Sequence, residues 1–320
     1  MRVVFLGTPN FAVKCLDALV NSHHEVVAVV CQPDKPSERG NKVVPSAVKV
    51  YAESHNLPLF QFPKISRDGI IDLKMLAPDI MITSAYGQIL SQEVLNIAKH
   101  GIINVHASLL PKYRGASPIQ TAIIKGEKET GVTIMKTELS LDTGDILAQE
   151  ATPIHEYETA GELSDRLAEI GSRLLLETLD KYENGTVEFT PQEHISASTT
   201  KKITKDECII NWNKSSKEIL CLIYGANPNP IARTLFGDGA CKIYTAKRYE
   251  GVLDDECRAL ENGTILPFSS VKKGVFVKTG DGAIEILDIQ LPSGKMLPAK
   301  VLMNGRKINV LDRFKNVIVI

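Results

Sequence analysis

Val3-Val-Phe-Leu-Gly-Thr-Pro-Asn-Phe-Ala-Val-Lys-Cys-Leu-Asp-Ala-Leu-Val20, followed by Glu25-Val-Val-Ala-Val-Val-Cys31, carries the fold in its periodicity. A short apolar run ends at Gly7, apolar residues return at helical spacing from Phe11 to Val20, and a second continuous apolar run follows. The order is strand, turn, helix, strand. Runs that are apolar at every position suit strands buried on both faces, the condition of a parallel sheet covered by helices. Working outward, residues 46–55 read as a helix, and 79–84 and 101–106 as further strands. Residues 131–137 and 145–150 give two more strands around a loop, and 159–182 one long helix. The first turn, Gly7-Thr-Pro-Asn-Phe-Ala12, lacks the GxGxxG glycines that let a pyrophosphate approach the helix, which argues against a dinucleotide.

The pattern changes after the polar stretch 196–205. Short alternating segments broken by Gly and Pro, at 240–246, 263–266, 275–279 and 283–290, predict a small β-barrel. A length of 320 residues favours two domains, each able to bury its own core. With 43% apolar and 23% charged residues there is no compositional case for disorder. The formal charge of −1 divides unevenly: 17 Lys/Arg against 13 Asp/Glu from Lys205 onward, and 20 against 25 before it. A basic tail on an acidic body hints at a polyanionic partner. The six cysteines form no CxxC pair and no zinc spacing, so a reducing cytoplasm is the expected compartment. No run approaches the roughly 20 apolar residues needed to span a bilayer. Asn10, Lys14 and Asp17 interrupt the early apolar stretch and no small-residue cleavage site follows, so an unprocessed chain is expected.

The densest chemistry lies in Gly101-Ile-Ile-Asn-Val-His-Ala-Ser-Leu-Leu-Pro-Lys-Tyr-Arg-Gly115. Alternate residues of a strand share a face, so Asn104 and His106 should point the same way at a strand's C-terminal end. Ligands of open parallel sheets bind outside such ends. Two polar side chains there form either a satisfied structural pair or a site, and the strand alone does not decide. Thr137-Glu-Leu-Ser-Leu-Asp-Thr-Gly-Asp145 adds two carboxylates and a glycine in a loop between strands. With Asp142, the set suits acyl transfer between nitrogens. When an amine attacks a formyl carbonyl, the oxygen gains negative charge and the nitrogen becomes positive. Asn104 can donate its amide hydrogens to that oxygen. His106 can do likewise, better when charged, a form that a neighbouring carboxylate favours. Asp142 can take the amine's proton, directly or through a water. Neither a metal nor a covalent nucleophile is required.

Asn-x-His followed by Ser-Leu-Leu-Pro-x-aromatic-x-Gly, with Leu-Asp-Thr-Gly-Asp downstream, closely resembles the folate-dependent formyltransferases. The resemblance implies that Asn104, His106 and Asp142 are the catalytic trio and that 10-formyltetrahydrofolate is the formyl-donor co-substrate. It implies that Ser108, Leu109, Leu110 and Pro111 line the folate pocket, and that the loop of Tyr86, Gly87, Gln88, Ile89 and Leu90 contacts the pterin. It covers about residues 2–313. The implied architecture is α/β, with a Rossmann-like parallel sheet and helices on both faces over residues 1–190. A linker over 191–207 and an OB-like β-barrel over 208–320 complete it.

Two regions bear on the acceptor. Gln32-Pro-Asp-Lys-Pro-Ser-Glu-Arg-Gly-Asn-Lys-Val-Val-Pro-Ser46 resembles the inserted loop that enters the acceptor stem in the family's tRNA-acting branch. Lys35, Arg39 and Lys42 suit phosphate contact there, with Arg39 first. Lys201-Lys-Ile-Thr-Lys-Asp-Glu207, Ile210-Asn-Trp212 and Asn227-Pro-Asn-Pro230 follow the order seen in that branch, whose substrate is initiator methionyl-tRNA. Lys202 and Lys205 fall in the first of these. Lys242, Lys247, Arg248, Lys272 and Lys273 are candidates for a basic barrel face. The chain departs from the family at Ser198-Thr-Thr-Lys-Lys-Ile203 and at Tyr224-Gly-Ala-Asn227, departures expected to touch RNA contacts and not formyl chemistry. Asn41 stands where a second basic residue is frequent. A sugar nucleotide or other small amine as acceptor, and a non-catalytic RNA-binding relative, stay open as alternatives. Nothing in the sequence indicates a membrane or an obligate protein partner.

Overall fold

The computed structural model of the chain describes residues 1–36, 43–272 and 274–316. They divide into two compact units. The first comprises Met1–Pro118, Thr130–Pro153 and Ser164–Thr200; the second comprises Ile119–Glu129, Ile154–Leu163 and the chain from Lys201 onward.

The first unit is built on a seven-stranded sheet. Its strands are β1 (Arg2–Gly7), β2 (Glu25–Cys31), β3 (Leu59–Gln61), β4 (Ile80–Ser84), β5 (Ile102–His106), β6 (Glu129–Lys136) and β7 (Ile146–Pro153). The spatial order is β7-β6-β5-β4-β1-β2-β3. From β5 across to β3 every pairing is parallel. β6 departs from the all-parallel expectation, pairing antiparallel with β5 from Ile103↔Lys136 to His106↔Thr133. The chain re-enters the sheet at the end where β5 leaves it, and an antiparallel neighbour needs no crossover back to the far edge.

The strands that read as continuously apolar are buried on both faces, as parallel strands must be: β4 is buried at all five positions and β1 at five of six. Val4, Leu6, Met81 and Ile102 pack on one face with Ile65, Leu73, Val94 and Leu95 of short helices. On β5, Val105 faces the other way, towards Gly171 of the long helix Ala160–Glu183. Helices therefore cover both faces. Asn104 and His106, two and four residues after Ile102, belong to the face of the first cluster.

The second unit is an antiparallel sheet curved into a half-barrel. Its strands are β8 (Ala232–Phe236), β9 (Gly239–Arg248), β10 (Val275–Lys278), β11 (Ala283–Gln290), β12 (Met296–Pro298) and β13 (Phe314–Lys315), in the order β10-β11-β9-β8-β13 with β12 also on β11. Trp212 anchors it: the indole is buried, stacks on Phe314 at 5.7 Å and donates through Nε1 to Thr234 Oγ1 at 2.9 Å. The helix Ser216–Gly225 begins with a reciprocal capping box between Ser215 and Glu218. Two details differ from the sequence reading. β8 carries no alternation long enough to be seen, and 263–266 is no ladder strand. Thr264 and Ile265 each make one bridge, to Arg313 and Val277, so this segment crosses between strands. Among the described residues no helix is long and apolar enough to cross a membrane.

Candidate active site

The site grows from the C-terminal ends of β4 and β5. Thr83 and Asn104 are register partners, and Thr83 Oγ1 donates to Asn104 Oδ1 at 2.9 Å. With its oxygen held, Asn104 keeps its Nδ2 hydrogens for another acceptor. His106 is 5% exposed, and its Nε2 lies 3.0 Å from the Tyr113 carbonyl. A carbonyl only accepts, so Nε2 carries the hydrogen and donates. Nδ1 then faces Asp142 Oδ2 at 3.7 Å. In the neutral ring Nδ1 is an acceptor; once protonated it is a donor beside a carboxylate.

Asp142 is held from several sides. Gly115 N–H donates to its Oδ2 at 2.7 Å. Its own backbone is left-handed, with φ of +53°, a conformation uncommon for a non-glycine residue although tolerated best by Asp and Asn. Gly144, two residues on, packs so closely that a Cβ would sit 2.0 Å from the Lys136 carbonyl oxygen. The glycine of Asp-Thr-Gly-Asp thus lets the loop lie flat on the end of β6. Gly115 is constrained twice: φ is +108°, and a Cβ would meet the Thr200 carbonyl at 2.3 Å. Gly115→Ala is therefore expected to destabilise the protein by about 1–3 kcal/mol, read as a lowered urea midpoint. An unchanged midpoint would show that this turn is not under constraint.

The stretch from Gln192 to Thr200 is part of this site. Gln192, 6% exposed, donates through Nε2 to the carbonyls of Asp142 at 3.0 Å and Gly144 at 2.7 Å. Its Oε1 accepts from the buried Arg114. Ser198 Oγ accepts from Tyr113 N–H at 2.9 Å, and Thr199–Thr200 pair in parallel with Arg114–Gly115. The family departure at Ser198-Thr-Thr therefore lies outside the trio, against the turn whose Gly115 N–H holds Asp142. The departure at Tyr224-Gly-Ala-Asn227 is absorbed by packing: a Cβ on Gly225 would lie 2.5 Å from Ile124 Cγ1, and Asn227 Nδ2 donates to the Tyr244 carbonyl at 2.8 Å.

The four residues Ser108–Pro111 form a turn pinned by Thr133 and Gln149. Thr133 Oγ1 donates to the Ser108 carbonyl at 2.6 Å and accepts from Leu110 N–H at 3.1 Å, while Gln149 Nε2 donates to the Leu110 carbonyl at 2.9 Å. Ser108 and Leu110 are buried, whereas Leu109 and Pro111 are half-buried. In the other predicted segment, Tyr86 and Leu90 pack into the main core. Gln88 spends its amide on backbone, accepting from Ile65 N–H and donating to the Phe62 carbonyl, both at 2.9 Å. Ile89 is 87% exposed and Gly87 exposed, so these two present the segment's free surface.

Arg39 and Lys42 lie outside the described residues, as does Lys273. The backbone of Lys35 pairs with Val44 in a two-residue ladder. Lys202, Lys205 and Arg248 are exposed, Lys242 is half-buried, and Lys247 pairs with Glu285 at 3.1 Å.

Two hollows, of about 350 and 600 Å³, open at the opposite, N-terminal end of β5 around Asn96, Gly101 and Lys136, away from Asn104 and His106. Among the described residues, His23, His24, Asp180 and Glu183 bring ligand atoms within 4.8 Å of one another. Glu183 is already engaged there by the Met1 amine at 2.7 Å and by His23 at 2.8 Å, which hold its carboxyl down at about 2.

The sequence profile of the family described as Formyl transferase matches residues 1–179, and that of Formyl transferase, C-terminal domain, matches 202–307. Among curated relatives, a methionyl-tRNA formyltransferase of Sulfurihydrogenibium sp. is 44% identical over 317 residues, 98% of this chain and 100% of the relative. One of Coxiella burnetii is 42% identical over 95% of both chains. Among solved structures, an N-formyltransferase from Helicobacter canadensis, in complex with folinic acid and dTDP-3-aminofucose, superimposes with a TM-score of 0.67 at 22% identity, covering 89% of this chain and 98% of that one. HypX from Aquifex aeolicus in complex with tetrahydrofolic acid gives 0.66 at 20%, covering 99% of this chain and 51% of that longer one. At these identities the two structures share a fold with the chain.

Proposed function

The chain belongs to the formyl transferase family, and from that premise we propose that it moves the formyl group of 10-formyltetrahydrofolate to the free amino group of initiator methionyl-tRNA, giving N-formylmethionyl-tRNA for translation initiation in the cytoplasm. The observation that carries the reading is the convergence of His106 and Asp142, 3.7 Å apart, beside Asn104 at the ends of β4 and β5. Relatives acting on methionyl-tRNA match over nearly the full length, second unit included, which supports the tRNA as acceptor over a small amine.

In this reading the turn of Ser108, Leu109, Leu110 and Pro111 and the exposed edge at Gly87 and Ile89 receive the folate. Asn104 donates through Nδ2 to the formyl oxygen as it gains charge, and His106 in its charged form adds a second donor at Nδ1. Preorganised donors of this kind cost no reorganisation at the moment of reaction. The acceptor nitrogen forms its bond to the formyl carbon and gives up a proton to Asp142, directly or through a water. The bond from that carbon to N10 then breaks, and N10 takes up the proton that Asp142 received, directly or through a water, so that tetrahydrofolate leaves and the carboxylate is restored. The second unit serves as an OB-like platform for the acceptor arm, with Lys202 and Lys205 at its approach.

The test is an acceptor comparison. With 10-formyltetrahydrofolate as donor, charged initiator tRNA is expected to be formylated, whereas free methionine and a nucleotide-linked amino sugar are not. Turnover preserved on the amino sugar without tRNA would overturn the assignment. Arg39, with Lys35 and Lys42, is proposed to read the acceptor stem. Arg39→Ala is then expected to raise KM for tRNA at least about 10-fold while changing folate KM less than about twofold. Equal losses in both would contradict that division of labour.

A further inference from the structure

Gln192 uses its whole amide. Oε1 accepts from Arg114 Nε at 3.1 Å and Nη2 at 2.6 Å, and Nε2 donates to the carbonyls of Asp142 and Gly144 at 3.0 and 2.7 Å. Arg114, 7% exposed, also donates through Nη2 to His194 Nδ1 at 3.2 Å. The next residue, Gly115, is the one whose N–H holds the Asp142 carboxylate. One side chain thereby closes a ring: Asp142 is gripped at its carboxylate by the Arg114–Gly115 strand, and at its carbonyl by an amide that the same strand anchors. This matters because Asp142 has φ of +53°, a backbone that an ordinary residue keeps only where its surroundings over-determine it.

We infer that Gln192 is the positioning residue of the Asp142 loop in formyl transfer. It does not meet the reacting atoms. It fixes the carbonyls on either side of Thr143, so that the carboxylate stays opposite His106 Nδ1. Without it, two inward-facing carbonyls lose their donor and the left-handed turn loses its clamp. A displacement near 1 Å at a reacting group can cost about 10²-fold in rate. The buried Arg114 serves as the strut that keeps Oε1 in place and Nε2 aimed at the loop.

The inference rests on the proposed function, and the experiment separates the two. Gln192→Ala and Gln192→Glu are prepared alone and in the Asp142→Asn background. Glutamate keeps an acceptor for Arg114 but turns an oxygen towards both carbonyls, so it removes the tie while retaining the strut. Each single variant is expected to lower kcat about 10–100-fold, with KM for tRNA and folate within about twofold of the unmodified protein. In the Asp142→Asn background the same changes are expected to cost less than about threefold, because no carboxylate remains to be positioned. Hydrogen exchange across residues 140–145 is expected to quicken at least about 10-fold in Gln192→Glu, with β4 unchanged. Unaltered kcat, a loss of equal size in both backgrounds, a loss expressed in KM alone, or exchange that quickens equally in β4 would each overturn the inference. A protein that transfers no formyl group at all overturns the proposed function instead, and the exchange measurement still decides whether Gln192 ties the loop.

Discussion

Asp142→Asn is expected to lower kcat by about 10²–10⁴-fold, the usual range for a lost acid–base group, with KM for either substrate changed by less than about threefold. Asparagine has the same shape, and its Oδ1 can still accept the Gly115 N–H that now reaches Asp142 Oδ2 at 2.7 Å. The loop should therefore keep its place while two electrostatic functions disappear. In the proposed reaction no negative charge then remains 3.7 Å from His106 Nδ1 to balance a charged ring, and no base remains for the proton of the attacking amine. Both operate as the reaction proceeds and neither holds bound substrate, which is why the loss belongs in kcat. Steady-state kinetics with charged tRNA and 10-formyltetrahydrofolate reads the split. A loss carried mainly by KM would mean that Asp142 binds substrate and does not handle the proton.

His106→Ala is expected to cost about 10²–10³-fold in kcat, the magnitude typical of one oxyanion donor, and Asn104→Ala the same. The two residues reach that role by different routes. Asn104 is a neutral donor whose orientation is set because Thr83 occupies its oxygen at 2.9 Å. His106 donates at Nδ1 only when charged, because the Tyr113 carbonyl has claimed Nε2 at 3.0 Å. In the proposed mechanism the two act on one oxygen, so their losses should combine to less than the product of the single effects. Strict multiplication in the double variant would indicate separate targets.

The fold was legible wherever burial imposes a period. β1, β2 and β4 carry the unbroken apolar runs of residues 3–6, 26–31 and 80–82 because helices cover both sheet faces, and that pattern survives in one dimension. The direction of β6 was not, since its apolar residues would read alike in either orientation. Asn104 and His106 could be set on one face because strand side chains alternate, and Asp142 could be joined to them only by a pattern of neighbouring residues. Gln192 gave no signal. It lies 50 positions from Asp142, in a polar stretch that reads as a connection, and its part is visible only once the chain has folded back. Gln88 shows the reverse: a polar residue in a predicted binding loop whose amide is consumed by the backbone of Ile65 and Phe62. Local polarity reports what a residue can bond to, and tertiary structure decides what it does bond to.

A single-turnover experiment with formyl-labelled 10-formyltetrahydrofolate and methionine-charged initiator tRNA bears on the whole mechanism at once. Label is expected on the methionyl nitrogen, with tetrahydrofolate released one to one, and the rate for Asp142→Asn is expected to be lower by at least about 10². Label recovered as free formate, or an Asp142→Asn rate equal to that of the unmodified protein, would contradict that mechanism.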